Sequence, residues 1–333
     1  MGIDTTDQSP PKALRRWLSC DMDAVDALIR ARMASEHAPR IAEISTHLVG
    51  AGGKRLRPLM TLAAARMCGH DGPHHIALAA TVEFIHTATL LHDDVVDESA
   101  RRRGRPTANR LWDNKSSVLV GDYLFARSFQ LMVGTGSMRV LDILSDAAAR
   151  IAEGEVLQLT AAQDLRTDED IYLRVIRGKT AALFSAACEV GGVVAGAPDT
   201  HCAALAEYGD ALGVSFQIVD DYLDYSGAGE ALGKNVGDDF RERKLTLPVI
   251  KAVARADAEE RAFWARVIEK GEQREGDLEH AIDLLNRHDA LEDTRKDAVA
   301  WARRARNAIE ALPGHPLRDI LADLADYVVV RVS

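Results

Sequence analysis

Aromatic residues supply only 5% of this 333-residue chain, whereas alanine and leucine are abundant. Sheets draw on aromatic and β-branched side chains, so the shortage points to an all-α fold. Cysteine occurs four times, at Cys20, Cys68, Cys188 and Cys202, with no CxxC spacing. Isolated thiols, two of them in Ala-rich helical text, read as reduced and buried in a cytoplasmic protein. No apolar run is long enough for a transmembrane segment, and no signal peptide opens the chain. Cationic residues are outnumbered, and the net charge of −10 excludes a broad basic face for nucleic acid. Local clusters of Arg and Lys therefore matter as sites. Residues 1–12, with Asp4, Asp7, Pro10 and Pro11, read as a disordered leader, and residues 13–333 as one domain.

What is present is concentrated in the stretch His86 to Asn109. Asp93, Asp94 and Asp97 interrupt an otherwise apolar run from Leu90 to Val96. On a helix, Asp93 and Asp97 lie one turn apart and within ~40° of each other. His86 falls on the same stripe two turns earlier. Arg101, Arg102 and Arg103 follow, and Gly104 and Pro106 break the helix. Carboxylates among Leu and Val are costly unless a cation neutralises them. Mg²⁺ suits the pattern, since it takes one or two carboxylates, keeps water and leaves room for phosphate oxygens. Neighbouring arginines offer forked donors to phosphate. A solvated acidic helix end followed by a basic loop is the plain alternative for this stretch alone.

Two further segments carry charge in unusual settings. Gly52-Gly53-Lys54-Arg55-Leu56-Arg57-Pro58 is a flexible turn with three cations at the mouth of a helix, suited to a diphosphate. Lys179-Thr180 precedes a run of small residues, Ala181 to Ala197, against which a ligand or helix can approach closely. His70, His74 and His75 resemble a metal cluster on paper, but they lack acidic or thiol support and read as surface residues. Phe125, Phe129 and Met132 recur on one face of a helix expected from Gly121 to about Met132.

Leu212 to Tyr225 repeats the first pattern: Asp220, Asp221 and Asp224 stand among apolar residues, with Gln217 one turn before Asp221. One DDxxD is weak evidence, but two in apolar helices are hard to ascribe to solvent-facing surfaces. Ser226 to Lys244 reads as a mobile surface loop carrying Lys234, Asp239 and Lys244. It is not a nucleotide-binding P-loop, because Asn235 and Ala228 replace required residues.

With both clusters placed, the chain resembles the trans-polyprenyl diphosphate synthases over about residues 40–255. The resemblance rests on GGKRLRP at 52–58, HDDVVDESARRRGRPTAN at 92–109, GKT at 178–180, FQIVDDYLD at 216–224 and GKNVGDDFRERKLTLP at 233–248. It implies a large all-helical bundle around a deep central cavity, usually a homodimer. It implies Mg²⁺ held by Asp93, Asp97, Asp220 and Asp224, with Asp94, Asp221 and Asp239 assisting. Lys54, Arg57, His86 and Arg103 match positions that bind isopentenyl diphosphate. Arg102, Lys179, Lys234 and Lys244 match contacts to an allylic prenyl diphosphate. Thr180 and Gln217 match residues near the developing carbocation. Arg243 departs from the smaller residue many relatives carry, which bears on closure of the loop.

The same resemblance addresses product length. Bulky aromatics four and five residues before the first motif make short-chain enzymes; here Thr89 and Ala88 are small. A long, octaprenyl to decaprenyl product is implied, a quinone side-chain precursor, with Phe129 and Met132 as candidates for the cavity floor. Release of so apolar a product implies transient membrane contact. A geranylgeranyl-type synthase and a non-catalytic subunit are the alternatives. A terpene cyclase fits less well, because Lys54, Arg57 and Arg103 imply a second diphosphate.

Overall fold

The structure is a computed structural model that describes residues 9–35, 37–50, 53–102, 104–226, 236–330 and 332. Among the described residues the fold is all-α, apart from a short ribbon that pairs Arg101–Arg102 with Arg105–Pro106. None of these helices is long and apolar enough to cross a membrane. Packing divides the chain into two compact units.

The first unit comprises Met1–Ala148, Ala186–Ala206 and Gly314–Ile320. It holds α1 (Pro10–Trp17), α2 (Ser19–Met33), α3 (Pro39–Gly50), α4 (Leu56–Met67), α5 (His74–Val96), α6 (Ala108–Leu111) and α7 (Asn114–Gly134). Helix α1 starts inside the expected leader, because Pro10 and Pro11 occupy a first turn that needs no N–H. Residues 1–8 of that leader lie outside the described residues.

Helix α5 is central, with α2, α4 and α7 packed on it. Leu78, Val82, Phe84, Ile85, Ala88 and Leu91 are all buried. A helix apolar on so many sides must be enclosed. Helix α7 approaches closely through Gly121, where a Cβ would stand 2.2 Å from His92 Nε2. Gly121 is thus an interior contact rather than the helix start expected from the sequence. The start is Asn114, where the Asp113 side chain accepts a hydrogen bond from the Ser116 N–H at 2.6 Å.

His75 is buried, contrary to its reading as a surface residue. Its Nε2 lies 3.4 Å from Asp21, which also takes a two-pronged contact from Arg66 at 2.8 and 2.7 Å. Burial lowers the His75 pKa from its ordinary value. The partner that explains it, Asp21, is more than fifty positions away in sequence, out of reach of local pattern.

The second unit comprises Ala149–Ser185, Glu207–Pro313 and Leu321–Ser333. It draws on α8 (Met138–Ala161), α9 (Glu169–Ile176), α10 (Ala182–Val194), α11 (Asp199–Tyr225) and α12 (Asp238–Arg241). The remaining helices are α13 (Leu247–Arg255), α14 (Ala258–Trp264), α15 (Asp277–Arg287), α16 (Ala290–Glu310) and α17 (Pro316–Val330). Two π-helical turns, Arg177–Ala181 and Ala265–Glu269, continue α9 and α14. Trp264, Tyr208 and Tyr225 fill the core. Helix α9 is anchored at its start: Asp168 caps it, and the buried Lys251 on α13 contacts Glu169 at 3.0 Å and Asp297 of α16 at 2.9 Å.

Candidate active site

In the first unit the acidic residues of the first motif point in different directions. Asp94 is fully buried, Asp93 is half-buried and Asp97 is exposed at the helix end. The helix period separates Asp94 from Asp93, since neighbours along a helix are turned by about 100°, whereas Asp97 is the C-cap beyond the last residue of α5. Asp94 is tied to the chain itself. Arg102 Nε and Nη2 each stand 2.8 Å from its Oδ1, and Asn109 Nδ2 donates to its backbone oxygen at 3.0 Å. The ribbon of residues 101–106 thus returns the arginine-rich loop onto the acidic helix.

The basic turn precedes α4 in the same unit. Arg55 caps that helix in a left-handed conformation, with φ at 50° and ψ at 36°. Glu83 of α5 accepts a hydrogen bond from its guanidinium, in a pair largely shielded from water. Arg57 Nη1 lies 3.3 Å from His86 Nε2. Burial pushes the Arg57 guanidinium down to about 10, opposed by Glu83. Two residues named from the sequence, Arg57 and His86, therefore meet, while the pairing of Arg55 with Glu83 was not foreseen. Glu83 reads in sequence as a lone acid on a core helix. Its spacing of one turn from His86 is the only local hint.

The second unit holds a cavity of about 200 Å³ lined by Lys179, Thr180, Gln217, Asp220, Asp221 and Lys244, together with Tyr172 and Asp239. The π-helical turn bears Lys179 and Thr180, and α11 bears Gln217 and the two aspartates. Single π-turns occur often at functional sites. Gly154 on α8 makes this one possible: a Cβ there would stand 2.6 Å from the Lys179 backbone nitrogen. The next residue, Glu155, meets the Lys179 ammonium at 3.0 Å. Lys244 lies 3.8 Å from Asp239 and also pairs with Glu242.

The adjacent pair of the second motif repeats the division seen in the first, whereas Asp224, unlike Asp97, is buried. Asp220 is half-buried on the cavity wall. Asp221 is buried and takes a hydrogen bond on each oxygen, from the Tyr172 hydroxyl at 2.6 Å and from Gln217 Nε2 at 2.8 Å. Asp224 is turned toward the returning chain. Its two oxygens accept from the backbone N–H groups of Asp238 and Asp239 at 3.2 and 3.0 Å. Burial pushes the Asp221 carboxyl up to about 7, against the lowering pull of Tyr172 and Gln217. Asp239 is also raised, by burial and then by the nearby Asp221 and Asp224. A site that accumulates buried carboxylates in this way is suited to a cationic ligand.

Other sequence expectations meet mixed outcomes. Ala88 is buried, and the Thr89 hydroxyl turns back to the His86 carbonyl at 2.8 Å. Met132 is buried, but Phe129 is exposed and meets Phe125 edge-on at 5.3 Å between ring centres. Phe129 is therefore corrected from cavity floor to outer surface: three residues on a helix turn the side chain by about 60°, enough to change sides. Arg243, at φ 60°, anchors itself to the carbonyls of Ile268 and Glu269. Arg103 and Lys234 lie outside the described residues.

The donor set is oxygen-only, which matches a hard divalent cation. Among the described residues no three His, Cys, Asp or Glu side chains converge into a ready-made metal site. A cation held here would draw the rest of its coordination from ligand oxygens and water.

Comparison with known proteins gives a consistent result. The polyprenyl synthetase family model matches residues 38–285. An octaprenyl diphosphate synthase of Escherichia coli (strain K12) is 45% identical over 311 residues, covering 93% of this chain and 96% of that protein. The crystal structure of a decaprenyl diphosphate synthase from Rhodobacter capsulatus superposes with a TM-score of 0.95 at 70% identity, covering 97% of this chain and 99% of that one. A polyprenyl synthase from Caulobacter crescentus, complexed with calcium and isoprenyl diphosphate, gives 0.90 at 51% identity, covering 96% and 97%.

Proposed function

The chain belongs to the polyprenyl synthetase family, and from that premise we propose that it is a long-chain trans-prenyltransferase. It condenses isopentenyl diphosphate with an allylic diphosphate to give all-trans products of the octaprenyl to decaprenyl class. The observation that carries this reading is the cavity in which Asp220, Lys179 and Lys244 stand beside Thr180 and Gln217. A carboxylate for a cation, two ammonium groups for phosphate oxygens and two neutral dipoles are what ionisation of an allylic diphosphate requires.

In the reaction the allylic C–O bond breaks and diphosphate leaves with the electron pair. The double bond of isopentenyl diphosphate forms the new C–C bond, and loss of a proton restores an allylic diphosphate one C5 unit longer. Lys179 and Lys244 hold the allylic diphosphate, with Arg102 and Lys234 assigned to the same substrate. Lys54, Arg57, His86 and Arg103 hold isopentenyl diphosphate. Asp93, Asp97 and Asp220 are the carboxylates assigned to Mg²⁺, which when bound neutralises the departing diphosphate. Asp224 is assigned to the same cation with Asp94 and Asp221 assisting, and all three also position chain segments through their hydrogen bonds. Apolar walls keep water from the allylic cation.

We further assign the outer face of α7 to a homodimer. Leu119 and Val133 are 66% and 65% exposed, with Phe129 on the same side. Apolar surface of this kind marks an association site. Leu119→Lys with Val133→Glu should convert a dimer to monomer by light scattering. The working compartment assigned is the cytoplasm.

The functional reading is tested by giving the purified chain, alone, isopentenyl diphosphate, farnesyl diphosphate and Mg²⁺, then sizing the product. Octaprenyl to decaprenyl diphosphate is expected. Geranylgeranyl diphosphate as the end product, or no turnover without a second protein, would contradict it.

A further inference from the structure

Tyr172 has no part in the chemistry described so far, yet it contributes the shortest of the hydrogen bonds that converge on Asp221. Its hydroxyl is 2.6 Å from Asp221 Oδ2, and Tyr172 is among the residues that line the cavity. The other oxygen of Asp221 receives Gln217 Nε2 at 2.8 Å, and Gln217 Oε1 in turn receives the Thr180 hydroxyl at 3.0 Å. The four residues form one directed chain, drawn from α9, α11 and the π-helical turn.

Direction is the important property. An amide side chain carries an acceptor at one end and two donors at the other. With its NH₂ turned to the Asp221 carboxylate, Gln217 must turn its carbonyl oxygen to the Thr180 side. Both Thr180 and Gln217 line the cavity. A carbonyl dipole held with its negative end inward stabilises positive charge that develops there, whereas an inverted amide would oppose it. Asp221 keeps the amide from inverting, and the Tyr172 hydroxyl keeps Asp221 from turning. A buried tyrosine that fills space would need only some partner for its hydroxyl. This one has a partner whose own orientation sets the polarity of the cavity wall.

We propose that Tyr172 is a positioning residue of prenyl transfer, acting through Asp221 to hold the Gln217 carbonyl oxygen toward the allylic cation. The proposal rests on the prenyltransferase reading. Tyr172→Phe keeps the ring and removes only the hydroxyl. Its kcat for the first condensation should fall about tenfold, while KM for both diphosphates stays within about twofold of wild type. Gln217→Ala supplies the second arm. If Tyr172 acts through Gln217, adding Tyr172→Phe to Gln217→Ala should cost no more than about a further twofold in kcat.

A Tyr172→Phe kcat within twofold of wild type would overturn the proposal. So would losses that multiply in the double variant, or a rise in KM that accounts for the whole effect. A wild-type chain that makes no prenyl product would instead bring down the functional reading, and this proposal with it.

Discussion

Arg102 places two guanidinium nitrogens 2.8 Å from a single oxygen of Asp94, and Asp94 is fully buried. The second residue of the first aspartate motif thus holds the chain's own arginine. Truncating one partner of a buried ion pair leaves the other charge uncompensated, at a cost on the order of 3 kcal/mol. Arg102→Ala should therefore lower the stability measured by chemical denaturation by that amount, and Asp94→Asn by less, since the amide can still accept from Arg102. Equal stability of wild type and Arg102→Ala would show that the pair does not hold the loop.

The half-buried Arg57 should report on one substrate only. A lost charge-assisted hydrogen bond costs about 1.5–3 kcal/mol, or roughly 10- to 150-fold. Arg57→Ala should place this loss in KM for isopentenyl diphosphate, with KM for the allylic substrate little changed. Steady-state kinetics with each substrate varied in turn separates the two.

Asp221 makes a prediction about pH in the metal-free protein. Its carboxyl is pushed up to about 7 by burial, from about 4 in an unfolded chain. Between these values the folded chain keeps a proton that the unfolded chain has released. Its stabilising contribution is therefore present at the acid end of the window and is lost as pH rises toward and through 7. Asp221→Asn should gain stability relative to wild type as pH goes from about 5 to 8, measured as the difference between their denaturation midpoints. A difference that is flat across this range would contradict the burial argument.

Cavity depth is addressed at Ala88, which is 1% exposed on the enclosed helix α5. A tyrosine there overpacks a filled wall, and penalties of about 1–3 kcal/mol suffice to reject the next C5 unit. Ala88→Tyr should shorten the product to about C15 to C20. Met132→Ala should lengthen it or broaden its distribution, while Phe129→Ala on the outer face should leave it unchanged. Product chromatography distinguishes these outcomes.

Much of the candidate site was legible in the sequence, for a physical reason. Acids such as Asp93 and Asp220 inside Leu and Val runs violate the usual pattern, and a repeated violation stands out. His86 shares the Asp93 stripe, and Arg57 was visible as one of three cations in a flexible turn at the mouth of a helix. Tyr172 was not, because a lone tyrosine on an amphipathic helix looks like any core residue until its hydroxyl finds a carboxylate 49 positions away. The outward turn of Phe129 was missed because spacings of three and four residues define a broad sector without saying which neighbour covers it. The hydrogen bonds that Asp94 and Asp221 make were not legible either, since a motif does not reveal which of two adjacent acids is buried or what it meets. Gly121 misled in the opposite way: it looked like punctuation and is a point of close helix contact.

The central claim is that the two aspartate motifs work through a divalent cation on a diphosphate. The most direct measurement is turnover of isopentenyl and farnesyl diphosphates with Mg²⁺, with EDTA, and with Mg²⁺ in Asp93→Ala and Asp220→Ala, each checked for helix content by circular dichroism. Turnover should vanish in EDTA, return on adding Mg²⁺, and fall by several orders of magnitude in both folded variants. Wild-type turnover that persists in EDTA, or a folded variant that retains it with Mg²⁺, would contradict the account.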